Sequence, residues 1–483
     1  MPSSLYSHHE RLSALDAMFL EVEDPNVHMH VGAIGIFDAK PLLRPDGGLD
    51  IERIRRLAGP SLARSGRFRQ RIDRVPILGH PVWVDDERFN LDYHVRHTAL
   101  PEPGDERQLK RLMGRVMSQK LDLHKPLWEM WFVEGLDGDR FAVITKAHHC
   151  MIDGISGVDL LGMLMGPDAG TEGAEAQAEA SGSHRWLPRP APNALRLLAD
   201  EARRRAGLPL GALRAGREAL GDPGRAVNAL REALGSLAEA LGAGLSGGSH
   251  TPLNPDIGPH RRFDWMRMDL DAAKDVKNRL GGTVNDVVLA AAAGALRSFL
   301  AGRGVEVDAL DFRAQVPVNI RSDDERGRLG NRITMLFAKL PVAEPDPRRR
   351  FERVVEATSA LKASHQGRGT ELLEKIADWT AKEVLAGLAL LTARQLAYNV
   401  VVTNIPGPQF PVYLLGARML EVYPLVPLFT NQGLGIALFS YQGSLFWGFN
   451  ADWDALPDLH DLVLAVEGEF ETLRKLEPRR GPT

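Results

Sequence analysis

The stretch Phe141-Ala-Val-Ile-Thr-Lys-Ala147 runs directly into His148-His149-Cys150-Met151-Ile152-Asp153-Gly154. Its first part is mainly apolar and rich in strand-forming residue types, which predicts a buried β-strand. Gly154 then marks a turn, and the apolar run 158–165 after it predicts a helix. Because a strand followed by a turn and a helix packs the helix against a sheet, this stretch predicts a mixed α/β fold.

The second half of the chain contains the same mixture of predicted elements. A helix is predicted at 287–297, directly after Gly281-Gly-Thr-Val-Asn-Asp286. Strands mixed with helices along the whole chain predict an α/β (α+β) architecture. The further predicted strands lie at 312–318, 333–340 and 398–403, with a hairpin that joins 434–439 to 445–450.

The chain divides into two halves of similar size around a segment of different composition. With 483 residues it is too long for one ordinary core, so more than one domain is expected. Residues 166–192 are rich in Gly, Ala, Glu, Ser and Pro, which predicts a linker. We therefore predict an N-terminal domain at 1–165, a linker with amphipathic helices at 166–250 and a C-terminal domain at 251–483.

Residues 193–245 of this linker are predicted to be helical, with regularly spaced leucines and with arginines between them. One interpretation, which we favour, is a pair of helices packed across the domains. The other is a basic amphipathic element that rests on an anionic membrane or lipid-droplet surface.

Composition excludes several classes of protein. The formal net charge of −4 provides no global reason to expect nucleic-acid binding. A single cysteine, Cys150, excludes an intramolecular disulfide and a cysteine-based zinc cluster, and it fits a reducing cytoplasm. The N-terminus lacks the basic start and apolar core of a secretory signal.

The longest uncharged stretch of the chain is 422–451, and it contains prolines and several glycines. This composition predicts buried strands, which belong to a core or line an apolar cavity, and not a membrane-spanning helix.

The chemistry of the chain is concentrated at the histidine pair. Since side chains alternate across a strand, His148 and His149 face opposite sides, and only one of them can point into a given cavity. A neutral imidazole, with an ordinary pKa of about 6.5, can accept a proton from an alcohol at cellular pH. Asp153, at a turn closed by Gly154, can brace the loop through an ion pair or backbone hydrogen bonds.

Three other interpretations of this pair are open. A metal site is one, although adjacent histidines on a strand diverge and no third ligand recurs at a helical spacing. A nucleophilic Cys150 is another, although neighbouring strand residues do not easily form a thiol–imidazole pair and buried cysteine is more often plain packing. The third is that both histidines are core side chains with satisfied hydrogen bonds.

The His-His-x-x-x-Asp-Gly pattern at 148–154 resembles the signature of CoA-dependent acyltransferases, which include chloramphenicol acetyltransferase, carnitine acyltransferases and peptide-synthetase condensation domains. Further segments, in order from Leu12 to about Leu473, are similar to the bacterial wax ester synthase/acyl-CoA:diacylglycerol acyltransferase family. These segments are Ser13–Asp16, His30–Gly32, Pro126–Glu129, Asn254–Gly258, Arg261 with Arg262, Asn285 with Asp286, and Val402–Pro408.

The resemblance implies two chloramphenicol-acetyltransferase-like domains that form a pseudo-dimer, with the active site in a tunnel between them. It implies that His149 is the general base, that its neighbour His148 belongs to the same motif, and that Asp153 with Gly154 is structural. Other family positions are implied to support activity or bind substrate: Asn285, Asp286, Pro126, Leu127, Trp128 and Asn404.

The residues themselves leave several of these roles open. Asn285 is either an oxyanion donor or the N-cap of the helix that follows. Trp128 is expected to be packing, and Asn404 is expected in a rigid turn with Pro406–Pro408. Arg261 and Arg262 are either a site for CoA phosphates or a solvated pair.

The implied activity is transfer of a fatty acyl group from acyl-CoA, as substrate and with no cofactor or metal, to diacylglycerol or a long-chain alcohol. The product would be triacylglycerol or a wax ester. Two alternatives are a condensation-type acyltransferase whose donor is carried on a carrier protein, and a non-catalytic lipid-surface protein. The expected location is cytoplasmic, with peripheral contact to the inner membrane or lipid droplets.

Overall fold

The computed structural model describes residues 8–63, 65–151, 162, 164–170, 186–204, 248–319, 333–365 and 398–478. Asp153 and Gly154 of the histidine motif lie outside these residues, as do most of the predicted linker helices. The described residues form two halves, each built on a β-sheet mixed with helices, so the predicted α/β architecture is confirmed.

The first half begins with short elements and ends at the histidine motif. The predicted strand at 141–147 is observed as β7, which extends to His148. The elements are β1 (Glu10–Arg11), α1 (Ala14–Glu21), β2 (His30–Asp38), α2 (Ile51–Ala63), β3 (Gln70–Arg74), β4 (Pro81–Asp85), α3 (Leu91–His94), β5 (Val95–Ala99), α4 (Glu106–Ser118), β6 (Trp128–Leu136), β7 (Arg140–His148) and β8 (Met165–Gly166), with short 3-10 turns at Lys40–Leu42, Gly66–Arg69 and His149–Met151.

The second half follows a helical stretch at 194–204, called α5 here. Its predicted strands and hairpin are confirmed, with bounds that move by a few residues. The elements are β9 (Arg261–Asp269), α6 (Leu270–Leu280), α7 (Val284–Gly302), β10 (Phe312–Asn319), β11 (Ile333–Leu340), α8 (Pro347–His365), β12 (Val400–Pro406), β13 (Tyr413–Leu414), β14 (Ala417–Leu425), β15 (Leu434–Tyr441), β16 (Ser444–Asp452) and α9 (Leu459–Lys475).

The larger of the two main sheets has the strand order β5-β6-β7-β2-β14-β13-β8, and the other has the order β11-β10-β12-β15-β16-β9. Most neighbours are antiparallel, but β5 with β6, β10 with β12 and β12 with β15 are parallel. A small sheet, β1-β4-β3, lies beside the first half.

Two neighbouring strands, β13 and β14, cross between the halves. β14 comes late in the chain, yet it pairs with β2 of the first sheet, from Met419 opposite Phe37 to Leu425 opposite Gly32. The two sheets therefore do not follow a single cut in the sequence, because a segment of the second half completes the sheet of the first. The boundaries at 165 and 250 stay a prediction.

The junction between the two sheets is aromatic and tightly packed. Tyr423 of β14 stacks on Trp265 of β9 with ring centroids 4.8 Å apart, and it meets the edge of Phe446 of β16. A Cβ at Gly448 would lie 1.9 Å from the carbonyl oxygen of Pro424. The predicted uncharged stretch 422–451 therefore forms buried strands, as its composition indicated.

Helix α7 is the central helix of the second half. It is long and apolar enough to cross a membrane by length and composition, but 72% of its most apolar window is buried within the protein. Its N-terminus is a capping box, in which the Thr283 side chain accepts from the Asp286 amide and the Asp286 carboxylate accepts from the Thr283 amide. Its composition is therefore explained by packing in the second core.

The described part of the linker packs on the first half. Leu197 of α5 is buried against Val75, Val82 and Val84 of the β3–β4 hairpin. Glu201 of the same helix pairs with Arg11. This arrangement supports the packed interpretation for 194–204, whereas residues 205–247 lie outside the described part of the chain.

The close approach at Gly448 predicts a specific loss of stability. Gly448→Ala places a methyl group against a backbone carbonyl that cannot move freely, so we expect a loss of about 1–3 kcal/mol in the free energy of unfolding. Gly468→Ala is the matched control, because nothing lies within 4 Å of its added Cβ and alanine favours the helix there. Denaturant unfolding of both variants measures the difference, and equal stability of the two would contradict the packing described for β14 and β16.

Candidate active site

The histidine pair lies where β7 ends, and neighbouring strands hold its backbone on both sides. The amide of His148 donates to the carbonyl of Leu127 at 2.9 Å, and the amide of His149 donates to the carbonyl of Met29 at 2.7 Å. His148 lies opposite His30 of β2 in the sheet register. The segments that carry Pro126–Trp128 and His30–Gly32 are thus brought together with the histidine motif through backbone pairing.

His148 points into the protein. Its side chain is 1% exposed, and its Nδ1 accepts a hydrogen bond from the amide of Cys150 at 3.1 Å. A ring nitrogen that accepts carries no proton, so the neutral ring has its proton on Nε2. That nitrogen lies 3.4 Å from Oε1 of Glu23, a long contact that is mainly electrostatic. His148 therefore has a packed, oriented place within the first core.

His149 lies on the other side of the backbone, as the alternation of strand side chains predicts. It is only partly buried, and its ring stacks on Phe19 of α1 with centroids 3.9 Å apart and an angle of 29°. Burial, together with the proximity of His148, lowers the pKa of His149 to about 4. The imidazole is therefore neutral at cellular pH and able to accept a proton.

The Pro126–Trp128 segment is packed under this site. Leu127 and Trp128 are both fully buried. The indole Nε1 of Trp128 donates to the carbonyl of Phe68 at 2.9 Å, and the ring stacks on His94 with centroids 4.7 Å apart. Trp128 therefore has the packing role that its sequence context predicted. Leu127 holds the backbone of His148, because its carbonyl accepts the hydrogen bond of the His148 amide.

Asn285 and Asp286 open helix α7 in the second half, and they differ in role. Thr283 is the N-cap, so the alternative in which Asn285 caps the helix is wrong. Asp286 is 2% exposed, and besides the capping box its Oδ1 accepts from the Thr358 hydroxyl at 2.7 Å. Asp286 thereby joins the start of α7 to α8. Asn285 is partly buried, and within the described part of the chain its amide has no hydrogen-bond partner.

Asn404 lies within β12, opposite Leu438 of β15, and not in a turn as expected. The turn begins only after Pro406. A Cβ at Gly407 would lie 2.3 Å from the Phe439 ring, so only glycine fits there. Within the described residues, no recorded contact joins Asn285 or Asn404 to His149, so the shared site of these three residues stays a proposal.

Arg261 fits neither of its two expected roles, since its side chain is 3% exposed and turned into the protein. Its guanidinium donates to the carbonyls of Gly258 and His260 in the second half and to the carbonyl of Asn26 in the first. Burial lowers the pKa of Arg261 to about 10. Arg262, by contrast, lies over the Trp453 ring at 3.9 Å from its centroid. Arg261 is therefore an anchor between the halves.

Cys150 is 3% exposed, and burial raises the pKa of its thiol well above the ordinary value. A protonated, enclosed thiol is a poor nucleophile, which argues against a catalytic cysteine. Among the residues described, no group of three or more His, Cys, Asp or Glu side chains is placed to hold a metal ion. Two open clefts, of about 380 and 360 Å³, are lined by residues other than His149.

Sequence reasoning missed two side chains that contact the histidine rings, Phe19 and Glu23. Both come from α1 and the loop after it, which the motif Ser13–Asp16 only introduces. Ser13 is the N-cap of α1, where its hydroxyl oxygen accepts from the Asp16 amide, so this motif has a structural explanation. A local signal for Phe19 or Glu23 is lacking, because their contacts with residues 148 and 149 are distant in the sequence.

Solved structures share this fold. The wax ester synthase/diacylglycerol acyltransferase from Marinobacter aquaeolei VT8 matches with a TM-score of 0.65 and 25% identity, over 96% of this chain and 98% of that one. The first condensation domain of the CDA synthetase matches with a TM-score of 0.54 and 19% identity, over 97% of this chain and 96% of that one. The fold is therefore the two-domain fold shared by these acyltransferases and condensation domains, as the resemblance implied.

Sequence comparison identifies the family. The model of the wax ester synthase/diacylglycerol acyltransferase catalytic domain matches residues 12–288, and the model of the C-terminal domain of that family matches residues 329–474. The chain therefore belongs to the wax ester synthase/diacylglycerol acyltransferase family, and it is an acyltransferase.

Two proteins of Mycobacterium tuberculosis that are named as diacylglycerol O-acyltransferases match almost the whole chain. One is 34% identical over 490 residues, which cover 97% of this chain and 90% of that protein. The other is 31% identical over 480 residues, which cover 98% of this chain and 97% of that protein.

Proposed function

We propose that the protein transfers a fatty acyl group from acyl-CoA to diacylglycerol or a long-chain alcohol, with His149 as the general base. The observation that carries this proposal is the partly exposed, neutral imidazole of His149, fixed at the end of β7 in a chain of this family. The names of the two mycobacterial relatives support diacylglycerol as an acceptor, and the name of the Marinobacter protein supports an alcohol as well.

The reaction needs one proton carrier and no acyl-enzyme, because the thioester is already activated. The acceptor hydroxyl oxygen attacks the thioester carbonyl carbon while His149 takes the hydroxyl proton. The tetrahedral intermediate collapses, the carbon–sulfur bond breaks, and the imidazolium returns the proton to the departing CoA thiolate. The products are an ester and free CoA.

The low pKa of His149 has two consequences for this cycle. The imidazole is always unprotonated when substrate arrives, since the pKa of about 4 lies far below cellular pH. The imidazolium formed during attack is a strong acid for the same reason, so it readily protonates the thiolate. The low basicity weakens the first step, so holding the two substrates in line must contribute much of the rate acceleration.

The second half supplies the proposed supporting residues. Asp286 shapes the start of α7 through its capping box and Thr358, and the free amide of Asn285 beside it is the proposed donor to substrate or to the developing oxyanion. Asn404 on β12 is a further proposed contact. Asp153 and Gly154 are proposed to close the turn after His149, and the tunnel between the halves is proposed as the path of both substrates.

Two alternative functions are not favoured. A donor on a carrier protein fits the condensation domains, but these share only the fold, whereas the acyltransferase relatives match in sequence over nearly the whole chain. A non-catalytic lipid-surface protein does not require a neutral, oriented histidine at a strand end.

We also propose that the protein works in the cytoplasm, in peripheral contact with the inner membrane or lipid droplets. Its substrates are membrane lipids, and the first half exposes large apolar side chains beside the linker. Ile77 at the tip of the β3–β4 hairpin is 95% exposed, and Leu195 of α5, which packs on that hairpin, is 78% exposed. Arg203 of α5 is also largely exposed, which suits an anionic lipid surface.

Replacement of His149 tests the mechanism. His149→Ala should lower kcat by about 10²–10⁴-fold, since general base catalysis is removed, while the unfolding temperature stays close to that of the parent. The assay offers radiolabelled acyl-CoA together with diacylglycerol or hexadecanol and follows both esters. His124→Ala, at an exposed histidine, is the control and should retain full activity. Near-parental turnover by His149→Ala would remove the mechanism.

The pH dependence of kcat/KM tests the ionisation state of His149. A base with a lowered pKa stays neutral as the pH falls and is lost only when the pH passes through that pKa. We therefore expect activity to decline with a midpoint near pH 4 and not near the ordinary value of about 6.5. Circular dichroism at each pH separates loss of the base from acid unfolding, and a midpoint near 6.5 in folded protein would contradict the buried site.

Vesicle flotation tests the membrane contact. Ile77→Ser combined with Leu195→Ser should reduce binding to phosphatidylglycerol vesicles by about 100-fold or more, because burying each exposed side chain in lipid contributes about 1.5–3 kcal/mol to binding. Leu464→Ser is the matched control, since Leu464 is 50% exposed on α9 in the other half. Equal binding by the double variant and the control would refute the contact at this hairpin.

A further inference from the structure

The loop between α1 and β2 contains a buried carboxylate, Glu23, whose side chain is 8% exposed. Its Oε1 accepts a hydrogen bond from the amide of Met29 at 3.0 Å and lies 3.4 Å from Nε2 of His148. Its Oε2 lies 3.5 Å from Nζ of Lys120. Burying a carboxylate is costly unless it is paired and hydrogen-bonded, and these three contacts offset that cost for Glu23.

One contact leads to the backbone of His149. Met29 is fully buried, and it binds Glu23 with its amide while its carbonyl accepts from the amide of His149 at 2.7 Å. The amide that binds Glu23 and the carbonyl that binds His149 belong to the same residue, Met29. The position of Glu23 therefore constrains the carbonyl that accepts the hydrogen bond of the His149 amide. This path fixes the turn His149–Met151 at its first residue.

The other contact leads to the following residue. With its proton on Nε2 facing Glu23, His148 leaves Nδ1 free to accept from the amide of Cys150 at 3.1 Å. The negative carboxylate favours this tautomer, because the opposite one would direct a lone pair toward it. Glu23 therefore acts on the amides at positions 149 and 150 from two directions.

Glu23 is ionised in this setting. Burial alone would raise the pKa of its carboxyl group, but the contacts with His148, the Met29 amide and Lys120 outweigh burial, and the net pKa is lowered. The group is thus an anion at cellular pH.

We propose that Glu23 is a positioning residue, which holds the backbone of the turn His149–Met151 so that the His149 imidazole stays in line with the substrate hydroxyl. This inference rests on the proposed function of His149 as the base. Glu23 itself does not touch the reacting atoms. Its effect is on the orientation of the base, and a small displacement of a catalytic group has a large effect on rate.

The test compares Glu23→Ala, Glu23→Gln and the control Glu21→Gln. Glu21 ends α1 close by, but its carboxylate pairs with Arg74 at 3.0 Å, so its loss should leave kcat unchanged. Glu23→Ala removes both paths, so we expect kcat to fall about 10- to 100-fold with the KM for acyl-CoA changed by less than about twofold. Glu23→Gln keeps an acceptor for the Met29 amide, so it should recover part of kcat.

Hydrogen exchange followed by mass spectrometry supplies the second measurement. In Glu23→Ala, the peptide that contains the amides of His149 and Cys150 should exchange faster, while peptides of β15 and β16 keep the parental rate. Parental kcat in Glu23→Ala, or a fall in kcat accompanied by a higher KM and faster exchange throughout, would overturn the proposal. Turnover by His149→Ala would instead overturn the proposed function, whatever Glu23 does.

Discussion

The register between β2 and β7 is the constraint on which the site depends. A shift of one residue would exchange the environments of His148 and His149, because successive side chains on a strand point to opposite faces. β2 pairs with β7 along its whole length, from His30 opposite His148 to Asp38 opposite Arg140, without a bulge. The pairing therefore sends one imidazole into the core and leaves the other partly open. Two chemically identical side chains acquire different environments from their position alone.

The two halves are joined by backbone pairing as well as by side-chain packing. β14 completes the sheet that contains β2 and β7, although it belongs to the second half of the chain. Arg261, at the start of the second sheet, binds the carbonyl of Asn26, which lies in the same loop as Glu23 and Met29. The loop that holds His149 is thus tied to both halves. Relative movement of the halves would be transmitted through these contacts to His149, the proposed base.

Burial favours the neutral form of each ionisable group around the site, but for Glu23 the contacts with its partners outweigh this effect. It lowers the pKa of His149 and keeps that ring neutral, whereas Glu23 stays ionised because its contacts outweigh burial. Lys146, two residues before His148, is fully buried, and burial lowers its pKa to about 8. It donates to the carbonyls of Val116 and Gln119 at the end of α4, so it satisfies a helix terminus inside the protein. Among the described residues near the histidines, Lys146 and Glu23 therefore have identified partners, whereas Nδ1 of His30 is buried without a hydrogen-bond partner.

The elements and the family could be predicted from the amino-acid sequence alone. Apolar runs and turn residues predicted β7, the hairpin of β15 and β16 and the strands before it, and ordered motifs predicted an acyltransferase with two related domains. Strands, hairpins and short motifs are local features, so the periodicity and residue types of a short stretch are enough to predict them. Other features became apparent only in the folded chain: β14 crosses to the first sheet, Thr283 and not Asn285 caps α7, Arg261 connects the halves, and Phe19 and Glu23 contact the histidines. Such contacts join residues far apart in the chain, and the free energy that selects them comes from packing and burial, which no short stretch of sequence contains.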